Sequence, residues 1–223
     1  MGHMVQYACP GGGEAPGYLS VPDAGAEQAP GVVVLQEWWG LNDQICGVAD
    51  RLSGAGYRAL VPDLFRGRVT SDPDEAHHMM SGLDWRGATS EDLRGAVQFL
   101  KDNGRKVAVM GFCMGGALSV MAAEQVPELD VAVCFYGIPP AEVADPTKLR
   151  APILFHFAQH DDWCTPDAVH ALEGQVIDSG VGFEIYRYDA QHGFFNEERP
   201  AVYEPVAARK AWRRSLQWIQ HHI

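Results

Sequence analysis

The chain has 223 residues, of which 47% are hydrophobic and 21% charged. That is enough apolar side chain to offset the ordering entropy of a large core, which excludes extended disorder, collagen-like repeats and coiled coil. Its formal net charge of −12 argues against nucleic acid or anionic lipid as a partner, since both would repel it. Apolar runs such as Val32 to Leu35 fall far short of the roughly 20 residues a membrane span requires. The opening Met1-Gly2-His3 reads as a cloning scar, leaving residues 4–223 as one domain. No secretory h-region follows Met1, so a cytoplasmic location is expected. The five cysteines are odd in number, widely spaced and without a CxxC pair, the pattern of free thiols in a reducing compartment.

In chain order, Tyr7 to Pro30 is rich in Gly, Pro and Ala and could hold a short hairpin around Gly17 to Val21. Val32 to Gln36 is a continuous apolar run of the kind a strand buried on both faces requires. Asp43 to Gly54 has helical apolar spacing, Tyr57 to Val61 reads as a strand stopped by Pro62, and Asp72 to Leu83 as an exposed helix. Ser90 to Leu100 opens on Ser90-Glu91-Asp92, acidic residues suited to a helix N-terminus. Lys106 to Met110 predicts a strand and Met114 to Glu124 a helix; Val131 to Tyr136 and Ile153 to Phe157 predict two more buried strands. Pro166 to Ser179 is helical with proline in its first turn, Phe183 to Tyr188 alternates as a strand, and Glu204 to Ile223 forms a long last helix. Strands alternating with helices predict a single-domain α/β fold whose mainly parallel sheet is flanked by helices, with ligands bound outside the C-terminal strand ends.

One motif falls at such an end. Lys106 to Gly116 reads Lys-Val-Ala-Val-Met-Gly-Phe-Cys-Met-Gly-Gly, a strand entering a helix through Gly111-Phe112-Cys113-Met114-Gly115. This is a nucleophile-elbow pattern with cysteine where serine is usual. Side chains two residues before and two after the nucleophile would collide in so tight a turn, and glycine removes them. The turn also aims a helix N-terminus at the sulfur, which favours thiolate and oxyanion alike. A thiol nucleophile further needs a base and an acid to orient it. Asp161 or Asp162 follows the strand Ile153 to Phe157, and His192 follows the strand Phe183 to Tyr188. Counting forward from the strand points to Asp161, whereas counting back from Pro166 keeps Asp162 open.

With these pieces the chain resembles the dienelactone hydrolase family of the α/β-hydrolase superfamily. The resemblance rests on Gln36-Glu37-Trp38-Trp39-Gly40, Val61-Pro62-Asp63-Leu64-Phe65, the elbow Gly111 to Gly116, Phe135-Tyr136-Gly137, Asp161-Asp162-Trp163 and Gln191-His192-Gly193-Phe194, all in order. It implies a single-domain α/β-hydrolase fold and a Cys113-His192-Asp161 triad. It also implies a Glu37 carboxylate that contacts the resting thiol and modulates thiolate formation, and an oxyanion hole made by the backbone N–H groups of Trp38 and Met114. The reaction it implies is hydrolysis of small carboxylic esters or lactones through an acyl-thioester, with no metal and no organic cofactor. Thioester hydrolysis or acyl transfer on the same triad is an alternative use of the site, and a non-catalytic binding or redox-sensing role on the same scaffold is another.

Trp39, Phe112, Trp163, Phe194 and Asn196 adjoin the motifs and are expected to line the substrate pocket. Family members that cleave dienelactone hold the substrate carboxylate with arginines, one of them four residues after the catalytic histidine; here that position is Asn196. The helix Asp72 to Leu83 contains no arginine, while Arg66, Arg68, Arg86 and Arg199 lie nearby in sequence. Loss of the guanidinium fork removes bidentate recognition, so a neutral lactone or small ester fits equally well. Adjacent His77 and His78 would point about 100° apart on a helix and chelate poorly. His156, His160, Cys46, Cys134 and Cys164 are read as packing or hydrogen-bonding residues.

Overall fold

The runs without polar residues occupy the middle of the sheet, as they must, because a parallel strand covered by helices on both faces has no solvent side. In a computed structural model describing residues 2–223, the strands are His3–Ala8 (β1), Glu14–Ser20 (β2), Gly31–Leu35 (β3), Arg58–Pro62 (β4), Val107–Phe112 (β5), Val131–Phe135 (β6), Ile153–His160 (β7) and Phe183–Gln191 (β8). They form one eight-stranded sheet in the order β1-β2-β4-β3-β5-β6-β7-β8. The β1–β2 and β2–β4 pairs are antiparallel and all others parallel. Every residue of β3, β5 and β6 is buried.

The helices are Asp43–Gly54 (α1), Pro73–Ser81 (α2), the single turn Trp85–Gly87 (α3), Arg94–Leu100 (α4), Met114–Gln125 (α5), Pro166–Ser179 (α6) and Pro205–His222 (α7). Side chains of α1 and α7 pack on the sheet face carrying Val32, Val34, Ala108 and Met110, while α4, α5 and α6 cover Val33, Leu35, Val107 and Val109 on the other. Short polar side chains start the helices: Asn42 accepts from Ile45 N at 3.1 Å, Asp72 from Asp74 and Glu75, and Thr165 from Ala168. Each such cap is worth about 1 kcal/mol.

Three boundaries differ from the sequence expectation, each for a tertiary reason. The hairpin lies further toward the N-terminus, with β1 pairing from His3 opposite Leu19; thus His3 of the supposed scar is part of the sheet, and Met1 lies outside the described residues. The helix expected from Ser90 begins at Trp85, where Asp84 caps the Gly87 amide, and passes through a π-helical stretch, Ala88–Leu93. Asp92 is therefore no N-terminal charge; it is buried in that stretch and pairs with Arg66 at 2.7 Å. Lastly, β7 and β8 run past their apolar segments, because Ala158 pairs with Tyr188 and His160 with Gln191. Polar residues at the outer end of a ladder leave no hydrophobic signal. This extension matters most, since it brings Asp161 and His192 out of adjacent strands side by side.

Candidate active site

The turn between β5 and α5 is as tight as its glycines suggest. A Cβ on Gly111 would lie 1.8 Å from the Gly115 carbonyl oxygen, and one on Gly115 would lie 2.3 Å from that of Leu35. Cys113 sits between them at φ 53° and ψ −114°, a left-handed backbone that costs a residue with a side chain on the order of 1–3 kcal/mol. Its neighbours hold it there: the Cys113 amide donates to the Phe135 carbonyl at 3.0 Å, and the Gly115 amide to that of Gln36 at 3.1 Å. The half-buried sulfur therefore stands at the N-terminus of α5, where the helix dipole and unpaired amides favour negative charge.

Asp161 follows β7 directly and is almost fully buried. Its Oδ2 is 2.8 Å from His192 Nδ1, and its Oδ1 accepts from the Trp163 and Cys164 amides, each at 2.8 Å. Asp162, the other candidate, is exposed and faces the mouth of the cavity instead. Burial works against the charge on Asp161, but the His192 bond and the two amides outweigh it and hold the carboxyl below its ordinary range. Burial likewise opposes charging of His192, yet the Asp161 hydrogen bond and the neighbouring Cys113 and Cys164 sulfurs carry it well above the histidine range. Nδ1 being engaged, the buried Nε2 has no hydrogen-bond partner among the described residues.

Glu37 follows β3 and is also buried. It was expected against the thiol, but its two hydrogen bonds run elsewhere. Oε1 accepts from the Tyr136 hydroxyl at 3.1 Å and Oε2 from Asn196 Nδ2 at 2.7 Å. Burial raises this carboxyl, and Asn196, the His192 charge, Tyr136 and Arg199 offset only part of that. Tyr136 itself sits at φ 38°, held by its amide on the His156 carbonyl at 2.8 Å. The Trp38 and Met114 amides, the expected oxyanion donors, donate to no backbone carbonyl among the described residues.

A cavity of about 220 Å³ opens over these groups, lined by Glu37, Trp38, Trp39, Cys113, Trp163 and His192 together with Met80, Arg199 and Val202. Three residues expected to line it do not. Phe112 and Phe194 are swallowed by the aromatic core, with Phe112 4.9 Å from Phe195 and Phe194 5.3 Å from Tyr136. Asn196 is 2% exposed and lies behind Glu37, its amide spent on that carboxylate. Trp38 meets Trp39 and Trp163 edge-on, at 5.2 and 5.5 Å, so that three indoles form one wall. Sequence reasoning passed over Met80, Val202 and the Tyr136 hydroxyl. Only Tyr136 lay within a quoted motif, and its role depends on a positive φ that no local pattern announces. Arg199 places its guanidinium 5.1 Å from the Trp39 ring. His77 and His78 are exposed, with His77 edge-on to Trp38 at 6.4 Å.

A parallel sheet with an antiparallel edge, a nucleophile elbow after β5, an acid after β7 and a histidine after β8 define an α/β-hydrolase fold. The sequence model of the Dienelactone hydrolase family matches residues 15–223, and the chain belongs to that family. In class it is a carboxylic-ester hydrolase. It is 32% identical to Protein usf of Aquifex pyrophilus, and 29% identical to a protein of Aquifex aeolicus named "Putative carboxymethylenebutenolidase"; both alignments cover all of each chain. Among solved structures it is similar to a "Putative Dienelactone Hydrolase" from Klebsiella pneumoniae, with a TM-score of 0.86, 25% identity and 98% of each chain covered. No helix among the described residues is long and apolar enough to cross a membrane.

Proposed function

We propose that the protein hydrolyses small carboxylic esters or lactones with Cys113 as nucleophile, His192 as base and Asp161 as the acid that orients it. The observation that carries this reading is the Asp161–His192 hydrogen bond, which leaves the imidazole's other nitrogen unpartnered beside the cavity into which Cys113 opens. His192 takes the thiol proton, and the Cys113 sulfur attacks the carbonyl carbon. The Trp38 and Met114 amides hold the resulting oxyanion, a donor set whose members are each typically worth about 3 kcal/mol. As the tetrahedral adduct collapses, His192 returns the proton to the departing alkoxide, leaving an acyl-thioester. Water, losing a proton to His192, then attacks that thioester and releases the acid, and Cys113 recovers its proton. Glu37 acts on this site through its charge beside His192 and Arg199 rather than by touching the sulfur. A cavity of about 220 Å³ is below the roughly 300 Å³ at which drug-sized ligand pockets begin, so the substrate is small.

The test is turnover of p-nitrophenyl acetate, a neutral butenolide and a carboxylated dienelactone by the parent protein and by Cys113→Ala. Mass spectrometry of the acid-quenched parent runs alongside. The expected result is turnover that falls at least about a thousand-fold in the variant, with an acyl adduct on the peptide containing Cys113. Equal rates in parent and variant would overturn the assignment.

A further inference from the structure

The cluster around His192 contains a thiol that the reaction leaves idle. Cys164 is 4% exposed; its backbone amide donates to Asp161, and its sulfur neighbours His192. One potential ligand atom each from Asp161, Cys164 and His192 lie within 4.8 Å of one another. A carboxylate, a sulfur and an imidazole form a mixed O, S, N donor set. Soft and borderline d¹⁰ cations select such sets, whereas magnesium and calcium prefer oxygen alone. We propose that Asp161, Cys164 and His192 form a binding site for a zinc-group divalent cation, and that its occupancy shuts the hydrolytic site. The inhibitory half of this proposal rests on the function proposed above; the binding half does not.

The chemistry balances. The cation displaces the Cys164 thiol proton to solvent and forms a metal–thiolate bond. It takes a lone pair of neutral His192, whose second proton, if carried, also goes to solvent. One carboxylate and one thiolate then cancel the two positive charges, so the buried complex is locally neutral and avoids the penalty of an unpaired buried ion. With zinc–sulfur and zinc–nitrogen bonds of about 2.3 and 2.0 Å, the donors must close to roughly 3.5 Å from one another. Side-chain rotation of Cys164 and His192 supplies that movement, while the two amides on Oδ1 keep Asp161 fixed. Bound metal occupies the base, and proton transfer from Cys113 stops.

Cadmium reports its own binding through a sulfur-to-metal charge-transfer band in the ultraviolet. The titration is run in a Cys9→Ser/Cys46→Ser background, which removes the two partly exposed sulfurs remote from the site. In that background and in its Cys113→Ala derivative, micromolar Cd²⁺ should produce the band, and a chelator should abolish it. Adding Cys164→Ala should remove the band. It should also raise the Zn²⁺ concentration that halves turnover at least ten-fold, measured against that variant's own metal-free rate. Cys164→Ser, with circular dichroism as the check on folding, repeats the test should the alanine variant fail to fold. A band that survives loss of Cys164, or that disappears with Cys113, overturns the site, because the metal would then be held by the nucleophile alone. No band in the background protein overturns it as well. If the band behaves as expected but the metal-free parent turns over no ester, the metal site stands and the hydrolase mechanism is what fails.

Discussion

Two histidines on neighbouring parts of the sheet have opposite chemistry. His156, within β7, is wholly buried, with Nε2 3.0 Å from the Ser215 hydroxyl and Nδ1 2.9 Å from that of Tyr188. Burial, helped by the positive charge of Arg214, pushes it down to about 3. His192, at the strand ends, meets a carboxylate and two sulfurs and is pushed up. Burial opposes the charge on both, so burial alone does not separate them; the sign of the neighbouring charge does. Hydroxyl partners and a guanidinium make a neutral ring with both nitrogens engaged, suited to holding β7 against α7. A carboxylate partner makes a ring held ready to carry a proton, with one nitrogen still free.

The largest effect that could break this contrast is on turnover. Asp161→Asn removes the charge that sets the tautomer of His192 and should lower kcat on p-nitrophenyl acetate by about 10⁴-fold. His156→Leu, corrected for folded protein, should leave kcat within a few-fold. Similar losses in the two variants would show that the contrast carries no catalytic meaning.

Acid stability should separate the pair next. His156 titrates near 6.5 when unfolded and near 3 when folded, so below pH 6.5 the unfolded chain binds a proton that the native one refuses. Its contribution is complete above pH 6.5 and is lost as pH falls, by about 2 kcal/mol between pH 6.5 and 4.5. His192 runs the other way: its folded value is raised, so its contribution is complete below pH 6.5 and is lost as pH rises through that folded value. Asp161, whose folded value is lowered, contributes above about pH 4 and loses that contribution only in stronger acid. Urea unfolding at pH 6.5 and 4.5 checks this. The parent should lose stability more steeply than His156→Leu, and parallel losses would mean that His156 is protonated in the native state.

At neutral pH, His156→Leu should cost about 1–2 kcal/mol in urea unfolding, because the Ser215 and Tyr188 hydroxyls each lose a buried partner but keep another, Ala211 O and Arg214 respectively. The smallest effect is expected from Tyr136→Phe, which deletes one of the two hydrogen bonds on Glu37. It should reduce kcat about two- to five-fold, of the size of a single neutral-donor bond, and a change above a hundred-fold would place that hydroxyl on the reacting atoms.

The local signals in the chain were the glycines around Cys113, the unbroken apolar runs of β3, β5 and β6, and the order of Cys113, the Asp161-Asp162 pair and His192 along the sequence. They were enough for the α/β class, the elbow and the family, because steric exclusion at Gly111 and Gly115 and two-sided burial of a strand are properties of short segments. Which aspartate meets His192 was not legible, since it depends on His160 pairing with Gln191 across two polar strand ends. Nor could the segment show that Phe112 and Phe194 turn into the core, that Asn196 is spent on Glu37, or that Cys164 comes to rest beside the imidazole. An aromatic or an amide next to a motif has the same local sequence whether it faces a cavity or a core. The direction it takes is set by elements dozens of residues away packing against it, and only the assembled sheet and helices decide that.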